Sequence, residues 1–192
     1  VDIGVYVGVD TGLRSPGVAV VSLDGELLAA APLTIGGKVR GAARLSLIRR
    51  ALGEFVGRHG RPVGSVIEGP SLGSEHREYD LGEASGVLKL WLYEASGEEP
   101  QVIEPSRLKK WATGNGAATK AQVQAYVVRR TGFVFGEDDF DASDAAAMAL
   151  LAHDLRSGVR PGTRTQAEVQ KAMVEKTRKK GRSRPKDRPI NL

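Results

Sequence analysis

The sequence predicts an α/β fold on a five-stranded mixed sheet, and three of its features do so. An apolar, partly β-branched run, Val5-Tyr6-Val7-Gly8-Val9, ends on Asp10-Thr11-Gly12, the pattern of a buried strand delivering a carboxylate to a turn. Ser65-Val66-Ile67-Glu68-Gly69-Pro70 repeats it, a short apolar run carrying an acid to two strong breakers. Between them lie a hairpin signal at Asp24-Gly25 and a helical stripe from Val39 to His59. The order therefore opens β-β-β-α-β, antiparallel at first, then a helical crossover to a parallel neighbour.

Taken in order, Gly17 to Leu23 is the second strand and Glu26 to Thr34 the third. In the Val39–His59 helix, Ala43, Leu47, Ile48, Ala51, Leu52 and Phe55 form one stripe with arginines outside it, and Gly60-Arg61-Pro62 stops it. The Glu68 strand follows as the fourth. Ser71 to Tyr79 is polar, contains Gly73 and reads as a mobile loop beside Glu68. Leu81 to Ala95 reads as a helix with Leu81, Ala84, Leu88, Trp91 and Leu92 on one side, while Val87, Leu90 and Tyr93 fall elsewhere around it. A helix apolar over more than one face is either sandwiched in the core or half of a subunit contact.

Gln101 to Pro105 is the fifth strand, and Pro105 to Trp111 opens a short helix, with proline suited to a first turn. Thr113 to Lys120 is a turn rich in small residues, Lys120 starts a helix through Arg130, and Asp141 to Arg156 is the last helix of the core. Ser157-Gly158 and Pro161-Gly162 mark a linker. Beyond it Thr165-Gln166-Ala167-Glu168 reads as a capping box for a basic helix to about Lys180, and Gly181 to Leu192 reads as disordered when unbound. There is no internal repeat.

At 192 residues the chain is long enough for one domain with a real core and short for two. It has no apolar run of the roughly 18 residues a membrane span needs, and its first residues lack the layout of a signal peptide. The absence of cysteine excludes disulfides, thiolate catalysis and Cys-zinc sites, and fits a cytoplasmic protein. Charge is unevenly placed. Residues 156–192 carry twelve Lys/Arg against three Asp/Glu, while the rest of the chain carries sixteen against twenty. A near-neutral body with a basic tail points to a polyanionic partner, most often nucleic acid, against the plainer reading of a solubilising tail.

The third acidic stretch is Asp138-Asp139-Phe140-Asp141-Ala142-Ser143-Asp144, ahead of an alanine-rich run. Asp141 and Asp144, three apart, share one face at the start of a helix. Singly, each acid has an ordinary structural role: Asp10 in a turn, Glu68 at a strand end, Asp141 and Asp144 capping a helix and complementing its dipole. Lys109 and Lys120 are likewise solvated helix charges unless they border a site. Brought together, however, four carboxylates repel each other strongly without a cation. Two-metal phosphodiester cleavage needs such a group, with ions about 3.5–4 Å apart, and magnesium asks for only a few carboxylates because it keeps part of its water shell. A metal-bound water needs no histidine base, and His59, His76 and His153 read as surface or helix-end residues.

The chain resembles the RuvC-type Holliday-junction resolvases of the ribonuclease H-like superfamily. The blocks that carry the resemblance are Gly8-Val9-Asp10-Thr11-Gly12 with Gly17, Val66-Ile67-Glu68, Leu81-Gly82-Glu83-Ala84-Ser85-Gly86, Lys109 through Gly114-Asn115-Gly116 to Lys120-Ala121-Gln122-Val123, and Asp141-Ala142-Ser143-Asp144-Ala145. They stand in the family's order over about residues 4–156.

The resemblance implies a ribonuclease H-like mixed sheet of order 3-2-1-4-5 in a homodimer, with a nuclease domain over 1–157 and a basic linker and tail over 158–192. It implies two Mg2+ ions per active site, Mn2+ substituting, held by Asp10, Glu68, Asp141 and Asp144. Asp10 would be shared, Glu68 and Asp144 would flank it, and Asp141 would ligate or orient from behind. Lys120 joins the four acids as a catalytic residue, and Lys109, Lys110, Lys120, Arg14, Leu72 and Tyr79 are the expected DNA contacts. The dimer would nick two strands of like polarity at a four-way or otherwise branched DNA, leaving ligatable 5′-phosphates, with the Leu81–Ala95 helix in the subunit contact.

Two departures qualify this. Gly69-Pro70-Ser71-Leu72 offers no aromatic wedge where cellular members carry one, leaving Leu72 or Tyr79 to substitute, and the basic tail is longer than theirs. Both fit a bacteriophage-type member with relaxed branch specificity, acting in host cytoplasm. The competing readings are a catalytically silent branched-DNA-binding protein, a ribonuclease H acting on RNA–DNA hybrids, and an actin-like kinase or ATPase, which would need a second lobe.

Overall fold

The structure, a computed structural model, describes residues 3–69 and 75–182, and it is arranged around β1 (Gly4–Asp10). Side chains alternate across a strand, and here both faces of β1 are apolar: Val5, Val7 and Val9 point one way, Tyr6 and Gly8 the other. A strand buried on both faces belongs in the middle of a sheet. β2 (Gly17–Ser22) runs antiparallel to it through the Asp24-Gly25 turn to β3 (Leu27–Pro32), and β4 (Arg61–Glu68) lies parallel on its other side with β5 (Gln101–Ile103) beyond. The order is β3-β2-β1-β4-β5, the mixed sheet expected.

One face is covered by α1 (Gly41–Gly57) and α2 (Glu75–Ser96), which bury Ile48, Leu52, Ala84, Leu88 and Leu92 against Val7, Val18 and Ile67. The other carries α5 (Phe140–Ser157), with α3 (Pro105–Thr113) and α4 (Lys120–Thr131) packed beside it and α6 (Arg164–Arg182) laid on α3 and β5. α5 lies with its backbone against the sheet. A Cβ on Gly8 would stand 2.0 Å from the Ala145 carbonyl oxygen and 2.4 Å from the Ala149 amide nitrogen, and one on Gly17 would stand 2.0 Å from the Asp141 carbonyl oxygen. Only glycine permits that approach, and the alanines of α5 complete it from the helix side.

Several elements differ from the sequence reading. α2 begins at Glu75, so the loop expected over 71–79 gives way to helix from there, and Tyr79 sits within it; residues 71–74 lie outside the described residues. β4 begins at Arg61 and passes through Pro62, which the strand tolerates because β5 pairs only with Val66 to Glu68 and leaves that end of β4 an edge. β3 is shorter than expected at both ends. The start of α6 lies upstream of the expected box: Thr163 Oγ1 accepts from the Gln166 amide at 3.2 Å, while Glu168 pairs with Arg164 and Lys110 instead of capping. His153 is not a surface residue. α5 stays on the sheet to its last turns, so His153 is 5% exposed, its Nδ1 is 3.1 Å from Asp154 Oδ1, and its ring meets Tyr6 edge-on.

Candidate active site

The pleat and the register together assemble the site. Asp10 is even-numbered like Tyr6 and Gly8, so it leaves β1 on the α5 side; Glu68, two beyond Val66, leaves β4 on the same side. Both strands are parallel and end at the same edge of the sheet. Asp10 also pairs with Gly17, the residue over which the Asp141 backbone lies, so the close approach of α5 brings its first turn, with Asp141 and Asp144, to the end of β1. All four predicted carboxylates therefore meet.

Lys120 joins them from α4. That helix starts sharply because Thr119 and Gln122 form a capping box, the Gln122 amide donating to Thr119 Oγ1 at 3.3 Å and the Thr119 amide to Gln122 Oε1 at 2.9 Å. Lys120, the first residue inside, donates from Nζ to Asp141 Oδ1 at 2.8 Å and stands 4.0 Å from Asp144 Oδ2. Lower down, Arg130 ties α4 to α5 through a two-pronged pair with Asp154 at 2.9 and 2.6 Å, and its guanidinium lies over the Trp111 ring.

The electrostatics are those of crowded anions. Burial, then the hydrogen bond and charge of Asp10, push the Glu68 carboxyl up to about 9; burial and the Asp10 charge push Asp144 up to about 7. Asp10 is also raised, by burial and by Asp141, although the proton Glu68 donates to it acts the other way. Burial works against the charge on Lys120, but its bond to Asp141 and the charges of Asp141, Asp10 and Asp144 outweigh that and hold its pKa above the usual value. The crowding thus favours protonation of Glu68 beside Asp10, while the Lys120 ammonium stands against Asp141 and Asp144.

Asp144 Oδ1 is buried with no hydrogen-bond partner, an acceptor that a hard cation would satisfy. The donor set, carboxylate oxygens only, suits magnesium or manganese better than zinc, which favours nitrogen and sulfur. As the side chains stand, no three acids or histidines among the described residues form a group that could hold an ion. An ion held by Asp141 would compete with the Lys120 ammonium now bonded to it.

The expected DNA contacts are scattered. Lys109 is half-buried on α3, close enough for its charge to act on Asp144. Lys110 is turned to α6, 3.8 Å from Glu168. Arg14 is exposed in the loop after Asp10, where its carbonyl accepts from the Ile35 amide at 2.8 Å. Tyr79 is 87% exposed on α2, and Leu72 lies outside the described residues. Two residues were missed. Ser85 and Lys89 line a cavity of about 110 Å3 beside Glu68, with Thr11, Gly69, Leu81 and Gly82, and the buried Ser85 Oγ has no partner. The signal was the four-residue spacing of Leu81, Ser85 and Lys89, which sets them on one side of α2.

The family model described as "Crossover junction endodeoxyribonuclease RuvC" matches residues 6–153. The chain is similar to the protein of that name from Rhodopirellula baltica, 30% identical over 77% of this chain and 85% of that one, and to that from Bdellovibrio bacteriovorus, 33% identical over 76% and 87%. Among solved structures it is similar to T. thermophilus RuvC in complex with Holliday junction substrate, with a TM-score of 0.69, 26% identity, and coverage of 80% of this chain and 96% of that one.

Proposed function

The chain belongs to the RuvC family of crossover junction endodeoxyribonucleases, and from that premise we propose that it resolves Holliday junctions by metal-dependent hydrolysis of DNA phosphodiesters, with paired nicks from a homodimer. One observation carries the reading: four carboxylates from β1, β4 and α5 converge at one edge of the sheet at a cost in mutual repulsion that bound metal ions would relieve.

Asp10, between Glu68 on one side and Asp141 and Asp144 on the other, is the residue that two ions would share. Glu68 and Asp144 would each complete one of them, and Asp141 would ligate or orient. Two Mg2+ ions, or Mn2+, would supply an activated water and stabilise the leaving oxygen. The chain's own part is positional. Once released from Asp141, Lys120 has its ammonium at the mouth of the site, where with Lys109 it holds the phosphate and stabilises the charge that develops on it. Arg14, Lys110 and Tyr79 extend the DNA surface outward. Ser85 and Lys89, in the cavity on the far side of Glu68, are placed to hold the backbone next to the cut.

Support for the dimer comes from the outer side of α2. Leu90 and Tyr93 are 53% and 42% exposed there, and the space over Gly82 and Gly86 is open. A second copy related by a twofold axis covers such a stripe and sets two sites on one junction, which paired nicks require. A labelled synthetic four-way junction, incubated with Mg2+, Mn2+ or chelator beside flaps, linear duplex and an RNA–DNA hybrid, tests the whole reading. Paired nicks near the crossover, lost with chelator and with Asp10→Asn, are expected. Tight junction binding without cleavage under either metal would leave a binding module.

A further inference from the structure

α6 lies beyond the residues that the family model matches, and it is docked to the body of the protein. Val169 and Met173, one turn apart, are 4% and 3% exposed and join the core cluster that contains Leu108, Trp111 and Ala112 of α3. Gln166 Nε2 donates to the Tyr126 hydroxyl at 3.2 Å, tying the same helix to α4.

Two ion pairs give its direction. Glu168 meets Lys110 near the end of α3, and Lys176 meets Glu104 just before its start, at 3.4 Å. Exposed pairs of this kind stabilise little, but they fix α6 as antiparallel to α3. Glu104 follows directly on β5, whose last residue, Ile103, pairs with Glu68. α6 therefore runs toward the edge of the sheet that carries the four carboxylates. Its last residues, Arg178, Lys179, Lys180 and Arg182, extend about 9 Å past Lys176 in that direction, at 1.5 Å per residue.

We propose that the carboxyl-terminal end of α6 is a second DNA-binding element that holds a duplex arm of the junction against the catalytic edge beside β5. The inference rests on the resolvase reading. A basic end on a helix that is docked to a rigid body differs from a free basic tail: it would contact phosphates at a fixed distance from the cut, so it would orient the arm as well as add affinity. Glu168 and Glu175, the only acids of α6, precede the basic run and leave it uninterrupted.

The test keeps the whole chain, because removing everything after Gly158 would strip Val169 and Met173 from the core. Arg178, Lys179, Lys180 and Arg182 are changed together to glutamine, which favours the helix about as well as lysine. Binding to a four-way junction is followed against salt in chelator. Each lost phosphate contact lowers the log–log slope by about 0.9, so a fall of about 2–4 is expected, with an unchanged melting temperature. Trimming the arms should produce the same fall in the wild type and none in the variant. The chain has no cysteine, so Arg178→Cys carrying a photo-crosslinker reports position, with cross-links confined to one stretch of arm. A wild type that binds and cuts junctions while the variant keeps its slope, or cross-links that miss the arm, overturns this inference and leaves α6 a brace for α3. A wild type that binds no junction overturns the resolvase reading with it.

Discussion

Asp10→Asn should make the metal-free protein more stable while abolishing cleavage. Asp144 is raised from 3.8 to about 7, which corresponds to about 4 kcal/mol of unfavourable interaction for its charged form. Burial is the largest cause and remains after the substitution; the Asp10 charge comes next and is removed. The same substitution takes away the Asp10 carboxylate that raises Glu68. Because these groups titrate together, their gains do not add, and a net recovery of about 1–2 kcal/mol at pH 8 is the reasonable share, or roughly 2–8 °C in melting temperature for a chain of this size.

The pH dependence has a definite sign. The folded pKa values lie above the unfolded ones, so the folded chain holds protons that the unfolded chain releases. This stabilisation is full below about pH 4 and is lost as the pH rises through about 7 for Asp144 and about 9 for Glu68. The gap between variant and wild type should therefore widen from pH 5 to pH 9 in chelator. Mg2+ should raise the wild-type melting temperature more than that of the variant. Thermal unfolding by circular dichroism measures all three quantities. A variant less stable than the wild type at pH 8, or a gap that does not change with pH, would refute the repulsion argument.

Gly8→Ala forces the α5 backbone off β1 and should destabilise the fold by about 2–3 kcal/mol in urea, with cleavage falling further than stability because Asp141 and Asp144 move with the helix. Arg130→Ala leaves Asp154, 7% exposed, without its main partner and should cost about 3–5 kcal/mol; Arg130→Lys should recover little, since it cannot reproduce the two-pronged pair. Leu90→Arg puts a charge into the exposed face of α2 and should convert a dimer to monomer in sedimentation velocity without lowering the melting temperature of the monomer. Unchanged mass would remove α2 from the interface.

The strands were legible because their signals are local: an apolar run, then an acid, then a breaker. What escaped depended on neighbours distant in sequence. Nothing near His153 marks it as buried; that follows from α5 lying flat on β1 and β2, which Gly8 and Gly17 permit. Thr165 and Glu168 satisfied the pattern of a capping box, but Lys110 on α3 and Arg164 take Glu168, and Thr163 caps instead. The basic helix itself was legible, but not its docking: only Val169 and Met173 of α6 enter the core, and what they pack on, α3, lies more than fifty residues upstream.

The four acids, by contrast, could be assembled from the sequence because the parity that buries a strand also aims its last residue. Gly8 and Asp10 are two apart on β1, so whatever turns Gly8 toward α5 turns Asp10 toward it as well; Val66 and Glu68 repeat this on β4. A slip of one residue in the β1–β4 register would present Val7 and Val9 to α5, whose backbone has no room for them, and would turn Asp10 to the opposite face. The packing that stabilises the fold and the geometry that gathers the carboxylates are therefore one constraint, and the glycine under α5 is as much a part of the site as the acid beside it.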